Sequence, residues 1–310
     1  MASTPKLSIG IPVYNEGSHI GETLGAISAQ TFDDFEAIIS DNASTDATGE
    51  ICRDHCTQDS RFRYMRNREN FGIKANFNQI FQFTQGEYFK WWAADDLGAP
   101  TLIESGIDVL ERDPRAVLAF SEAHFFEDDP AIPVLDPSSG LIPTMDGERT
   151  SRFRQAMQLL AQRPELTPVL LSAVMRASAM AATPLQGRYP ASDITFIARM
   201  ALAGRLLPTG KTELFLRSCP GSGGHLDTMG DYEAMIAANK PGRRPLVPWI
   251  WARWRFVEAA EMVLRSGFPL NERLALAKIV GETAAFRGRG WIERQVPGLG
   301  ALQPPQLTEN

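Results

Sequence analysis

Several things are scarce or missing in this sequence, and each absence excludes something. Its 310 residues include three cysteines, Cys52, Cys56 and Cys219. The number is odd and no C-x-x-C pair occurs, which excludes a disulfide framework and points to reduced thiols. There is no excess of positive charge: the net charge is −6, which argues against general nucleic-acid binding while leaving room for a local basic pocket. No uninterrupted apolar run is long enough to span a bilayer. The opening MASTPKLSIGIPVY lacks the charged and then apolar regions of a signal peptide, and no internal repeat is found. The expectation is a cytoplasmic protein, with attachment to the inner face of a membrane left open.

What is present is an ordinary globular balance, 44% hydrophobic and 22% charged. The first part alternates strand-like and helix-like segments. Leu7–Tyr14 and Phe35–Asp41 read as buried strands, with Ile20, Leu24 and Ile27 at helical spacing between them. Ser44, Thr45 and Asp46 cap a second helix, with Asp46 read as a turn or cap residue. Phe62–Asn67 reads as a third strand, and Ile73, Phe77, Ile80 and Phe81 form the apolar face of the next helix. Tyr88–Ala94 is a fourth strand, Pro100–Asp113 a helix with proline near its start, and Ala116–Phe126 a fifth strand. Glu127–Gly147 reads as a long connector, Glu148–Arg163 as a helix and Val169–Met175 as a strand. A capped helix over Ala191–Leu206 that ends at Gly204 and a strand over Thr212–Arg217 follow. The tail from Pro245 is helical in pattern.

Strands and helices joined by short connections predict an α/β layer with a mainly parallel sheet. Ligands of such sheets bind beyond the carboxyl ends of the strands. The polar residues gather there: Tyr14-Asn15-Glu16, Asp41-Asn42 and Asp95-Asp96. Adjacent carboxylates at the end of an aromatic strand suit a hard divalent cation such as Mg2+ or Mn2+; a plain helix cap is the alternative.

The stretch IPVYNEGSHIGETLGAISAQTFDDFEAIISDNASTD, followed by ENFGIKANFN, GEYFKWWAADD, the acid in YPASDITFIARMALAG and the RSCPGS loop, resembles the family 2 glycosyltransferases, the large inverting group with the GT-A fold. The resemblance runs from Lys6 to Ser222. It implies a GT-A (Rossmann-like), mainly parallel sheet flanked by helices, with a helical C-terminal extension. The expected organisation is a nucleotide-sugar-binding half over residues 1–126, an acceptor-side half over 127–225 and the extension over 226–310.

Transfer of a sugar from a nucleotide requires a held donor, a neutralised diphosphate and a base for the attacking hydroxyl. The resemblance implies that Asp95 is the main metal ligand, with Asp96 as its neighbour. The family's usual D-x-D-D is departed from at its first position, here Ala93. It implies that Asp41 accepts from the N3–H of uracil or thymine, with Pro12, Tyr14 and Glu16 lining the same pocket. Asp193 is the candidate general base, and a helix cap is its alternative reading. Lys74 is either a diphosphate contact or a solvated lysine. Cys219 stands where the family often has a metal-binding histidine, with His225 as a substitute. Arg217 and Ser222 are assigned to the phosphates. Trp249, Trp251 and Trp254, with Arg243, Arg244, Arg253 and Arg255, either rim an acceptor site, rest on a membrane surface or pack on the sheet.

The implied activity is an inverting hexosyl- or deoxyhexosyltransferase. It would use a UDP- or dTDP-sugar and a glycan, glycolipid or other hydroxyl acceptor, in cell-surface polysaccharide or glycolipid synthesis. Two rivals stand beside it. One is a non-catalytic sugar-nucleotide or glycan-binding protein of the same fold. The other is a sugar-1-phosphate nucleotidyltransferase, although PVYNEGSH lacks the glycine-rich basic loop such enzymes want after the first strand.

Overall fold

A computed structural model of the chain describes residues 4–135, 142–187, 192–218, 259, 260, 263 and 266–295. Cys219, Ser222, His225, Trp249, Trp251, Trp254 and the arginines around them lie outside the described residues.

Leu7–Val13 forms β1, and every one of its residues is buried. A strand covered on both faces carries a continuous apolar run, as LSIGIPV does. Helix α1 (Ile20–Ser28), β2 (Phe35–Asp41), α2 (Thr48–Gln58), β3 (Phe62–Arg66), α3 (Ile73–Phe81) and β4 (Tyr88–Trp91) follow in strict alternation. Strands β1, β2 and β3 pair in parallel, and β4 joins the other side of β1 in parallel. Helix α3 lies close over β1 because Gly10 leaves room: a Cβ there would come within 2.5 Å of Ile80 Cγ2.

Beyond β4 the pattern changes. A two-residue strand β5 (Leu97–Gly98) precedes α4 (Leu102–Arg112), β6 (Ala116–Phe126), β7 (Pro133–Leu135) and α5 (Arg149–Gln162). The expected strand over Val169–Met175 is corrected. After a 3-10 turn at Pro164–Leu166, Thr167–Leu171 is a short helix, α6, and only Val174–Arg176 is a strand, β8. Pro168 stands in the first turn of α6, where a missing N–H costs no helical hydrogen bond. Helices α7 (Ala177–Ala181) and α8 (Ser192–Ala203) lead into β9, which spans Arg205–Arg217 instead of beginning at Thr212. Gly204 ends the helix as expected, and a Cβ there would meet Arg115 O at 2.5 Å.

The sheet order is β3-β2-β1-β4-β8-β6-β9-β5, with β7 beside β6. Strand β8 is antiparallel to both β4 and β6, while β6 and β9 run parallel along most of their length. The result is a mixed sheet whose nucleotide-side strands are parallel. One hydrophobic core runs from Leu7 to Leu216, so residues 1–126 and 127–225 share it. A second cluster joins Phe153 and Met157 of α5 and Ala198 and Leu202 of α8 to Leu276, Ile279 and Val280 of α9 (Leu270–Gln295). Among the described residues no helix is long and apolar enough to cross a membrane.

Candidate active site

The carboxyl ends of β1, β2 and β4 open on one side of the sheet. Pro12 is buried within β1, and Tyr14 is half-buried just past its end. The chain then turns through Asn15 at φ 55°, a left-handed conformation that asparagine tolerates better than most residues. The loop before α2 fixes this turn. Asn15 N donates to Ser44 Oγ (3.0 Å), Glu16 N to Thr48 Oγ1 (2.8 Å) and Gly17 N to Asp46 Oδ2 (3.0 Å). Asp46 also accepts from Thr48 N at 3.1 Å, so it closes the turn, the role read for it.

Past β4, the loop carrying the acid pair is tied down on both sides. The Trp92 indole donates to Asp96 O at 3.0 Å, and Thr23 Oγ1 donates to Ala94 O at 2.9 Å. The aromatic run thus anchors the loop that presents the acids. Asp96 is buried, and its Oδ1 accepts from Arg217 N at 3.0 Å. No other described residue hydrogen-bonds the carboxylate of Asp95.

Burial raises the pKa of Asp95. Burial and the neighbouring charge of Asp95 raise that of Asp96 well above the ordinary range. Burial, followed by the charge of Asp95, also raises Glu16. Lys90, on β4 beneath the pair, is almost wholly enclosed and donates to Ser172 O. Burial pushes its pKa down to about 7 against the pull of Asp96. Among the described residues no lysine or arginine side chain forms an ion pair with Asp95 or Asp96. Nor, among the described residues, do any three histidine, cysteine, aspartate or glutamate side chains form a ready-made metal cage. Two crowded carboxylates nevertheless suit a small divalent cation, which takes one or two protein carboxylates and completes its shell with phosphate oxygens and water.

Two of the expected ligand contacts are engaged by neighbouring residues in this structure. Asp41 is not an open acceptor. Its side chain is 0% exposed, and it accepts from Ser44 N (2.7 Å), Tyr64 OH (2.5 Å) and Arg66 Nη1 (2.6 Å). Burial pushes its carboxyl up, but these hydrogen bonds and the Arg66 charge outweigh burial and leave it below the usual value. Arg217 is not a free phosphate ligand. Its Nε donates to Asp95 O (3.1 Å), Nη1 to Glu127 O (2.9 Å) and Nη2 to Glu22 Oε2 (2.6 Å), and its guanidinium lies 4.5 Å from the Phe126 ring centroid. Each of its three nitrogens donates one hydrogen bond within the protein.

Asp193 stands in the first turn of α8, and Lys74 reaches it from α3 with Nζ 3.2 Å from Asp193 Oδ2. Helix α3 and the start of α8 therefore meet through a side-chain pair. Sequence reasoning missed four participants. His19 Nδ1 stands 3.4 Å from Glu16 Oε2; its spacing of three residues from Glu16 was the available signal. Tyr64 and Arg66 alternate on β3, and β2–β3 register sets Arg66 directly beside Asp41. Gln186, 2.8 Å from Lys74 Nζ through its Oε1, carried no signal in the sequence.

Comparison with known proteins agrees with this architecture. The chain is 28% identical over 152 residues to an uncharacterized glycosyltransferase of Rickettsia conorii, covering 46% of this chain and 25% of that protein. It is 32% identical over 113 residues to the glycosyltransferase GlyG of Streptococcus pneumoniae, covering 36% and 38% of the two chains. The matched region thus spans well under half the length of these curated relatives. Among solved structures, Staphylococcus aureus TarS 1–349 superposes with a TM-score of 0.64 at 15% identity, over 95% of this chain and 76% of that one. The mannosyltransferase PcManGT of Pyrobaculum calidifontis superposes with a TM-score of 0.56 at 17% identity, over 96% and 77%. These likenesses establish a GT-A-type fold. The sequence profile described as "Glycosyl transferase family 2" matches residues 8–178, more than half of the chain, and the protein belongs to that family.

Proposed function

We propose that this chain is an inverting glycosyltransferase that moves a hexosyl or deoxyhexosyl group from a UDP- or dTDP-sugar to an acceptor hydroxyl in cell-surface polysaccharide or glycolipid synthesis. The observation that carries the reading is the crowding of Glu16, Asp95 and Asp96 at the strand ends. Asp95 and Asp96, with Glu16 beside them, would hold Mg2+ or Mn2+, which offsets charge on the diphosphate as it departs. Solved relatives of the same fold support such a ligand set: TarS was determined with UDP-GlcNAc, and PcManGT with GDP-Man and Mn2+.

In this reading Asp193 takes the proton of the acceptor hydroxyl. The hydroxyl oxygen bonds to the anomeric carbon as the bond from that carbon to the diphosphate breaks, and direct displacement inverts the configuration. Tyr14 offers its ring to the base. A pyrimidine reaches Asp41 when Arg66, whose side chain is 44% exposed, swings aside.

Calorimetric titration of UDP, dTDP and GDP, with and without Mn2+, tests the donor side. Pyrimidine nucleotides should bind more tightly with Mn2+, and Asp95→Ala should remove the gain. Binding that ignores Mn2+ would reject the cation role, and failure of UDP and dTDP to bind would reject the donor class. Asp193→Asn should abolish transfer with nucleotide binding intact.

A further inference from the structure

Lys74 and Asp193 are 119 residues apart, yet their side chains meet at 3.2 Å. The same ammonium donates to Gln186 Oε1 at 2.8 Å. A lysine ammonium can only donate, so the amide oxygen of Gln186 must face it. The buried amide Nε2 then has no hydrogen-bond partner among the described residues. Gln186 is 2% exposed, and Asn78 holds its backbone from both sides: Asn78 Nδ2 donates to Gln186 O (2.6 Å) and Gln186 N to Asn78 Oδ1 (3.1 Å). Asn78 lies one turn along α3 from Lys74, on the same helix face. Immediately before Gln186, Leu185 sits at φ 59°, a left-handed conformation that leucine rarely adopts. A strained leucine and an orphaned amide are both unfavourable, and they persist only where the surroundings over-determine them. A segment selected only for stability would shed them.

We infer that Lys74 and Gln186 form a clamp that positions Asp193: Lys74 holds the carboxylate and Gln186, pinned to α3 by Asn78, fixes Lys74. The inference rests on the reading of Asp193 as the base. It also changes the part given to Lys74, from a contact on the donor phosphates to a positioning residue for the acceptor side. A base must lie within hydrogen-bond reach of the hydroxyl it deprotonates, and a misplacement of about 1 Å can cost on the order of 100-fold in rate.

The test uses the full chain with Mn2+ and a panel of UDP-glucose, UDP-N-acetylglucosamine, dTDP-rhamnose and GDP-mannose, reading nucleoside diphosphate release with water as acceptor. Lys74→Met and Gln186→Met should each lower kcat by about 10- to 100-fold. Donor KM and calorimetric binding of the nucleoside diphosphate should stay within about twofold. Lys74→Arg should recover part of the loss, and the double variant should be no worse than Lys74→Met, because the two residues act as one unit. An unchanged kcat in Lys74→Met overturns the clamp. So does a raised donor KM with weaker nucleotide binding at unchanged kcat, which would return Lys74 to the diphosphate. If Gln186→Met fails to fold, the partly exposed Lys74 carries the test alone, with its melting temperature as control. Turnover retained in Asp193→Asn sinks the base assignment itself. No turnover of any donor by the wild type sinks the glycosyltransfer reading, and the clamp with it.

Discussion

Asp95 illustrates how a side chain can weaken a fold in order to serve a site. Burial raises its carboxyl pKa, and burial together with the charge of Asp95 raises those of Asp96 and Glu16. A carboxylate whose folded-state pKa lies above its unfolded value binds more protons when folded, so stability falls as pH rises from the ordinary carboxylate range through the raised values. The cost is fully present once all three are ionised and absent below the unfolded pKa values, where both states are protonated. Asp95→Asn should therefore melt higher than the wild type at pH 7 without metal, by about 2–4 °C for each kcal/mol relieved. The advantage should vanish near pH 3, below the ordinary Asp value of 3.8. Equal melting at pH 7 would mean that neither the burial of the Asp95 charge nor its effect on Asp96 and Glu16 weakens the fold. The acid pair was legible in the sequence because the end of a strand in an α/β sheet is a place where ligands bind. The closure of Asp41 was not read, although Tyr64 and Arg66, two residues apart on one strand face, were the clue.

At the scale of elements, the parallel strands were read to within a residue or so for β1, β2 and β3, since their apolar runs are continuous and bounded by polar turns. Strand β9 was half missed, because its first part, RLLPTGK, contains proline and glycine and its burial does not alternate. That strand matters for the site: its last residue, Arg217, ties the acid loop, α1 and Glu127 together. A lysine cannot reproduce a fork of donors. Arg217→Lys should cost about 1–3 kcal/mol in urea denaturation, the range for hydrogen bonds lost around a buried charged group. It should weaken the Mn2+-dependent gain in nucleotide binding, since the Asp95 carbonyl loses the guanidinium that braces it, while the backbone N–H of residue 217 still holds Asp96. Weaker nucleotide binding with unchanged stability would instead restore Arg217 as a phosphate ligand.

For the molecule as a whole, the two hydrophobic clusters divide the work. The first underlies β1, β2 and β4, whose ends carry Glu16, Asp41, Asp95 and Asp96. The start of α8 beside Asp193 packs on the first cluster as well, through Ile194, Phe196 and Ile197; the second joins α9 to α5 and to the other face of α8 at Ala198 and Leu202. Ion pairs from Arg149 to Glu272 (2.8 Å) and Arg154 to Glu282 (2.6 Å) flank that second contact. Locally stable units of a fold can open separately, so damage to the second cluster should reach the base before the donor. Leu276, fully buried there, is the residue to truncate. Leu276→Ala should cost about 2–5 kcal/mol from lost contacts and the cavity left behind. Below its melting temperature, kcat should fall while nucleotide binding with Mn2+ holds, because α8 loses the part of its packing that Ala198 and Leu202 make and the strand ends lose none. If binding and turnover decline together along the same thermal curve, the two clusters unfold as one cooperative unit, and the seating of Asp193 cannot be altered without disturbing the donor site.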